Sequence, residues 1–194
     1  MSRGDATREK LLLSAISHFH GFGYNKTSIK DIVSEANVLK GSFYNYFKSK
    51  ESVAIAASDL FYSVVLSHLK LENTSSPLKR LRKFVRFIVG EMRQTEFTRG
   101  CLVGDLAAEV TIATPELKQR IADHLDEAAR RLAVVIAQAQ QAGEINPALP
   151  TLEFSRFILN SLNGAILGTK AEGTDASMRL FERFAIEPFV IKPK

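Results

Sequence analysis

Along this chain apolar residues recur mostly at spacings of three and four, the mark of helices packed on one side. Leu12, Ala15, Ile16 and Phe19 form a first stripe behind Asp5, which can cap the helix, and Gly21 to Gly23 end it. Ile29, Ile32, Val33 and Ala36 form a second and leave Lys30 and Glu35 off it; Thr27 or Ser28 can cap its start, with Asp31 in the first turn, where the helix dipole favours a carboxylate. Asn37 tolerates the left-handed backbone of a sharp helix-to-helix turn, and Val38 can plug the corner. A third helix is predicted at once. Phe43 and Phe47 share its inner face, Gly41, Ser42 and Asn45 lie opposite, and Tyr44 and Tyr46 stand on the flanks.

From Lys50 a longer stripe runs through Val53, Ala57, Leu60, Phe61, Val64 and Leu71, and Asn73 to Pro77 (N-T-S-S-P) is the clearest loop. Leu81, Phe84, Val85, Ile88 and Met92, opposed by Lys79, Arg80, Lys83 and Arg86, predict a basic amphipathic helix with an ordinary solvated face. A short helix is expected over 100–111. Thr114 and Pro115 open another, carrying Leu117, Ile121, Leu125, Ala128, Leu132, Val135 and Ala139 and ending at Gly143. Thr151 starts a helix to Lys170, Gly173 and Thr174 separate a last one near 175–184, and Pro188 and Pro193 argue against helix in the tail. No segment alternates like a strand. The fold class is therefore all-α, with about nine helices: a three-helix head over 1–50, and a helical domain over 51–194 that a long helix joins to it.

The 194 residues, 45% of them apolar, suffice for a sizeable core. No apolar run is long enough to span a membrane and the N-terminus lacks the apolar core of a signal peptide, so no membrane partner is expected. A single cysteine, Cys101, permits no internal disulfide and fits a reducing cytoplasm. Residues 1–50 hold eight Lys/Arg against four Asp/Glu, so most of the net charge of +5 lies on the head. Catalytic motifs are missing, which argues against an enzyme, and His18 and His20 have no nearby cysteine or further histidine to make a metal site, so no cofactor is expected.

Small, hydroxyl and amide side chains on the outer face of the third helix would let its backbone approach base edges, while flanking tyrosines and lysines reach phosphates. A plain helical hairpin with a solvated face is the competing reading of this stretch; for the whole chain the alternatives are a helical protein-interaction module without DNA binding and an enzyme with an appended helix-turn-helix. The run G-S-F-Y-N-Y-F-K-S-K-E, preceded by T-S-I-K-D-I and followed by Ala54 and Ile55, resembles the DNA-binding domain of the TetR family of transcriptional repressors over about fifty residues. Val33 stands where that family usually has alanine, and Asn37 where it usually has glycine. The resemblance implies a cytoplasmic homodimer that binds a palindromic operator in double-stranded DNA and is released by a small-molecule effector. DNA contacts are expected from Thr27, Ser28, Lys30, Lys40, Gly41, Ser42, Tyr44, Asn45, Tyr46 and Lys50. Of these, Lys50, Tyr46 and Tyr44 would hold phosphates, and Lys40, Ser42, Asn45 and Lys30 would lie near base edges.

Aromatic and polar residues interspersed on the later helices, Phe61, Tyr62, Met92, Phe97, Phe157, Asn160 and Asn163, suit an effector pocket and suit a plain core equally. In the TetR family the last two long helices dimerise; here they correspond to 151–170 and 175–186, where Gly164 and Gly168 would let helices approach closely. Gly100-Cys101-Leu102, with Leu106 and Ala108-Glu109-Val110, resembles the branch of the family that contains electrophile-responsive and acrylate-responsive repressors. That resemblance implies a sensing role for Cys101 with Lys170 as its partner. Arg99 and a helix N-terminus would favour a reactive thiolate, Asp105 would oppose it, and the balance leans toward reversible binding beside Cys101.

Overall fold

The computed structural model describes residues 3–70 and 76–191, so the sequence expectations at Leu71, at Asn73 to Ser75 and at Pro193 lie outside the described residues. Among the described residues nine α-helices follow one another: α1 (Arg3–Phe22), α2 (Ile29–Glu35), α3 (Lys40–Phe43), α4 (Lys50–Ser67), α5 (Pro77–Gln94), α6 (Leu102–Glu109), α7 (Pro115–Gln141), α8 (Thr151–Glu172) and α9 (Ala176–Phe181). Among the described residues there is no strand, only an isolated antiparallel bridge between Ile145 and Val190. The tail differs from expectation: the chain runs on from α9 through a π turn (Glu182–Ile186) into a 3-10 turn (Glu187–Phe189) that holds Pro188, which fits there because proline is tolerated at a first helical position. Two compact units are interleaved in sequence, one of Met1–Val64 with Cys101–His124, the other of Val65–Gly100 with Leu125–Lys194.

In the first unit Leu11, Leu12, Ala15 and Phe19 of α1 are buried, as are Ile32, Val33 and Ala36 of the second stripe. The Ser14 hydroxyl donates to the Ile32 carbonyl at 2.8 Å, tying α1 to α2. Ser28 caps α2 in a capping box: its hydroxyl accepts from the Asp31 N–H, and the Asp31 carboxylate accepts from the Ser28 N–H at 2.8 Å. The Ser28 hydroxyl donates to the same carboxylate at 2.6 Å, and that bond first, with the Ser28 N–H second, holds the Asp31 carboxyl below the usual carboxylate range. Asn37 is left-handed, with φ 52°, as its place in the turn requires. α3 is shorter than its pattern suggested. After Phe43 the Asn45 and Tyr46 N–H groups bond three residues back, to Ser42 and Phe43, so both residues sit in a turn rather than a helix. Phe43 and Phe47 nevertheless share the buried side, 5.7 Å apart between ring centres.

In the second unit Ser76 caps α5, Pro77 takes its first position, and the Glu144 carboxylate accepts from the Leu78 N–H at 2.8 Å. Gly173, at φ 67°, ends α8 in the left-handed conformation and turns the chain into α9. The two helices then pack face to face. Gly168, half-buried, meets α9 of its own chain: a Cβ there would lie 2.5 Å from the Ser177 Oγ and 3.0 Å from its Cβ, so its smallness serves packing within the chain. Gly164 has open space where a side chain would be. Gly168→Ala is therefore expected to lower stability by about 1–3 kcal/mol in urea unfolding, although alanine is the better helix former and would gain at an open site.

Candidate DNA-binding face and effector region

The exposed side of the head is made by few residues. Lys30, Lys40, Gly41, Tyr44, Asn45 and Lys48 are exposed, Ser42 and Tyr46 are half-buried, and Leu39, which precedes α3, is 81% exposed. Because α3 buries only Phe43, everything else in that helix is free to meet a groove. Ser28 is exposed beside them at the start of α2, with its N–H and hydroxyl both donated to the Asp31 carboxylate.

Two of the expected DNA contacts are placed otherwise. Thr27 is buried, because its hydroxyl donates to the Gly23 carbonyl at 2.7 Å and closes the α1–α2 turn. Lys50 is turned inward: its ammonium donates to the Tyr24 carbonyl at 2.9 Å and lies 4.2 Å from the centre of the Tyr24 ring. Burial pushes the Lys50 pKa down, opposed by Glu109. Burial also pushes the Tyr24 phenol up, with a further push from Glu51.

Sequence reasoning missed the acids that surround this turn. Glu109, the last residue of α6, accepts from the N–H groups of Tyr24 at 2.9 Å and Asn25 at 2.8 Å. Glu51, in the first turn of α4, accepts from the Leu117 N–H at the start of α7 at 2.9 Å. No sequence signal distinguishes either from a solvated surface acid. The same holds for a buried polar group between α4 and α7. His124, 2% exposed, places Nε2 3.2 Å from the Ser58 hydroxyl and 3.1 Å from the Asp59 carboxylate, and Arg120 donates to that carboxylate at 2.6 Å. Since the Ser58 hydroxyl already donates to the Ile55 carbonyl, it accepts from His124, which puts a proton on Nε2.

Of the residues expected to line an effector pocket, Tyr62 is buried with its ring 4.7 Å from that of His124, and Phe61 is half-buried against its neighbour His20. Met92 is buried in α5, and Phe97 is half-buried in the loop that follows, held left-handed at φ 60° by a 2.7 Å bond from its N–H to the Met92 carbonyl. Phe157 and Asn160 are instead exposed. With Gly164 and Leu167 they form one stripe along the outside of α8. Asn163 is half-buried beside it. The stem of Lys170 passes close to Gly100, where a Cβ would lie 3.6 Å from the lysine Cδ.

Cys101 is the N-cap residue of α6 rather than part of its first turn. Burial pushes its thiol up; the backbone N–H groups of Gly104 and Val103 oppose this and the Asp105 carboxylate adds to it. The residue as a whole is half-buried, but desolvation of its sulfur outweighs those two N–H groups.

An all-α chain whose basic head presents a short, sparsely anchored helix behind a left-handed turn is a helix-turn-helix DNA-binding regulator. The chain belongs to the TetR family: residues 11–57 match the family described as bacterial regulatory proteins, tetR family, and residues 77–185 match the tetracyclin repressor-like C-terminal domain. It is accordingly a transcriptional regulator of a repressor family, a class distinct from enzymes. The transcriptional regulator AcuR of Cereibacter sphaeroides is 29% identical over 187 residues, covering 95% of this chain and 85% of its own. The HTH-type transcriptional repressor NemR of Escherichia coli is 27% identical over 146 residues, covering 74% and 71%. The crystal structure of a regulatory protein TetR from Rhodobacter sphaeroides superposes with a TM-score of 0.88 at 29% identity, over 94% of this chain and 98% of that one. No helix among the described residues is long and apolar enough to cross a membrane.

A thiol held up in this way should be alkylated slowly. Iodoacetamide at pH 7 is expected to modify Cys101 at least about tenfold more slowly than free cysteine, with the rate still rising above pH 9, as intact-mass measurements would follow.

Proposed function

We propose that the chain acts in the cytoplasm as a homodimeric repressor, binding a palindromic operator through residues 27–50 of each subunit and leaving it when an effector occupies the domain of residues 51–194. The face of Lys30, Lys40, Gly41, Tyr44 and Asn45 supports this most directly: it is exposed, uncluttered and basic, and no packing need within the unit accounts for it. Ser28, Ser42 and Tyr46 belong to the same surface. Lys40, Ser42, Asn45 and Lys30 are assigned to base edges, and Ser28, Tyr44 and Tyr46 to phosphates. Lys50 is assigned to holding the head rather than the DNA.

Two-fold symmetry requires a self-complementary surface. Phe157, Gly164 and Leu167 on α8, with Asn160 among them, Leu180 on α9 and Phe184 in the π turn after it, supply an exposed, largely apolar strip; Leu167 is 64% and Phe184 62% exposed. Gly164 gives that strip a flat place for close helix approach. Within the first unit the effector is assigned to the neighbourhood of Phe61, Tyr62, Cys101 and Asp105, with Cys101 lining the site rather than reacting, because its thiol is held protonated.

The test of the whole reading is a titration of the full chain with duplex DNA from the intergenic region upstream of its own coding sequence. A complex that weakens steeply with salt is expected; no complex at low salt would sink the reading. Asn45→Ala should cost about 1–3 kcal/mol on the preferred operator and relax preference at one position of each half-site, read by competition among operator variants. Leu167→Glu should cost about 2 kcal/mol or more at the dimer contact and shift the chain toward monomer in light scattering.

A further inference from the structure

We infer that Glu109 is a positioning residue for the DNA-binding head, holding the α1–α2 turn in the shape on which operator binding depends. The inference rests on the DNA-binding reading above. Gly23 takes φ +80°, which brings the next two N–H groups, those of Tyr24 and Asn25, onto the two oxygens of one carboxylate, at 2.9 and 2.8 Å. Successive N–H groups converging in this way make a nest for an anion, and Glu109 fills it. The space is shaped for that occupant: a Cβ on Gly23 would collide with the Glu109 Oε1.

The same turn is gripped from its other side. The Tyr24 carbonyl accepts from Lys50 at 2.9 Å, so an acid at the end of α6 takes the N–H of Tyr24 and a base at the start of α4 takes its C=O. Thr27 closes the loop on the Gly23 carbonyl and delivers the chain to Ser28, the cap of α2. A carboxylate 84 residues away in sequence from Asn25 therefore sets the backbone that leads directly into the helix-turn-helix.

The sign of the expected effect separates this role from plain electrostatics. Removing a negative charge from a DNA-binding protein should tighten its hold on any DNA. Losing the latch should weaken binding to the operator alone.

Glu109→Gln in the full chain removes the charge and one acceptor at nearly constant volume. Amide exchange at Tyr24 and Asn25, followed by mass spectrometry, is expected to rise about ten- to a hundredfold, the loss appropriate to charge-assisted bonds. Binding to the upstream duplex should weaken about tenfold or more, while a scrambled duplex of equal length is bound as tightly as before or slightly more so. Unchanged exchange, or operator binding as tight as wild type, overturns the inference.

A second comparison guards against general loss of structure: Gly23→Ala should weaken operator binding more in the wild-type background than in Glu109→Ala, where the collision is gone. Equal losses in both would also overturn it. If the wild-type chain binds no upstream duplex, the DNA-binding reading fails and takes the operator dependence with it, whereas the latch itself stands or falls with the exchange of Tyr24 and Asn25.

Discussion

A helix of four residues cannot hold itself together, since nucleation fixes several residues for very few internal hydrogen bonds. Lys40–Phe43 exists because Phe43 is fully buried, Phe47 follows it into the same core, and Arg8 of α1 lies 5.5 Å from the centre of the Phe47 ring. Everything the head shows to solvent depends on those two anchors. They leave Lys40, Gly41, Tyr44 and Asn45 uncommitted, and a surface uncommitted to packing is what reading a DNA groove demands.

Much of this is legible because most helices show an apolar stripe and several also mark their ends, although Asp5, expected as a cap, lies inside the first turn of α1. Ser28 with Asp31, Asn37, Ser76 with Pro77, Pro115, Gly143 and Gly173 all mark element ends as local chemistry predicts. What was not legible is where a long or small side chain points once a second element arrives. Periodicity places Lys50 at the start of α4 but cannot say that its flexible stem curls back to the Tyr24 carbonyl. It places Gly168 on a helix face without saying that α9 of the same chain covers that face, and it puts Phe157 among aromatics without saying that its face is exposed. Thr27 and Ser28 were equal candidates for a cap; only the fold shows one capping α2 and the other closing the turn before it.

The polar contacts divide by what they satisfy. Arg130 with Asp126 and Arg131 with Glu127 are exposed pairs one turn apart on α7, and such pairs contribute little because solvent screens both partners. Glu51, Glu109 and Glu144 do something different. Glu51 and Glu144 each accept from an N–H in the first turn of a helix, where the peptide donors have no partner within the helix, and Glu109 accepts from two N–H groups of the turn that follows α1. The bonds are charge-assisted and fix backbone rather than side chain, so they constrain geometry more than their number suggests.

That distinction bears on how a signal can reach the head. An effector changes DNA binding only through a difference in its affinity for two conformations, so some element near it must have two arrangements. In the first unit Cys101 opens α6 and Glu109 closes it, eight residues of helix lying between the N-cap and the bond to the Tyr24 turn. The segment after it is fastened too, through Leu117 to Glu51 of α4. A thiol raised by burial makes covalent capture slow at the Cys101 end of α6, so whatever a signal does there must act through a difference in binding between two conformations.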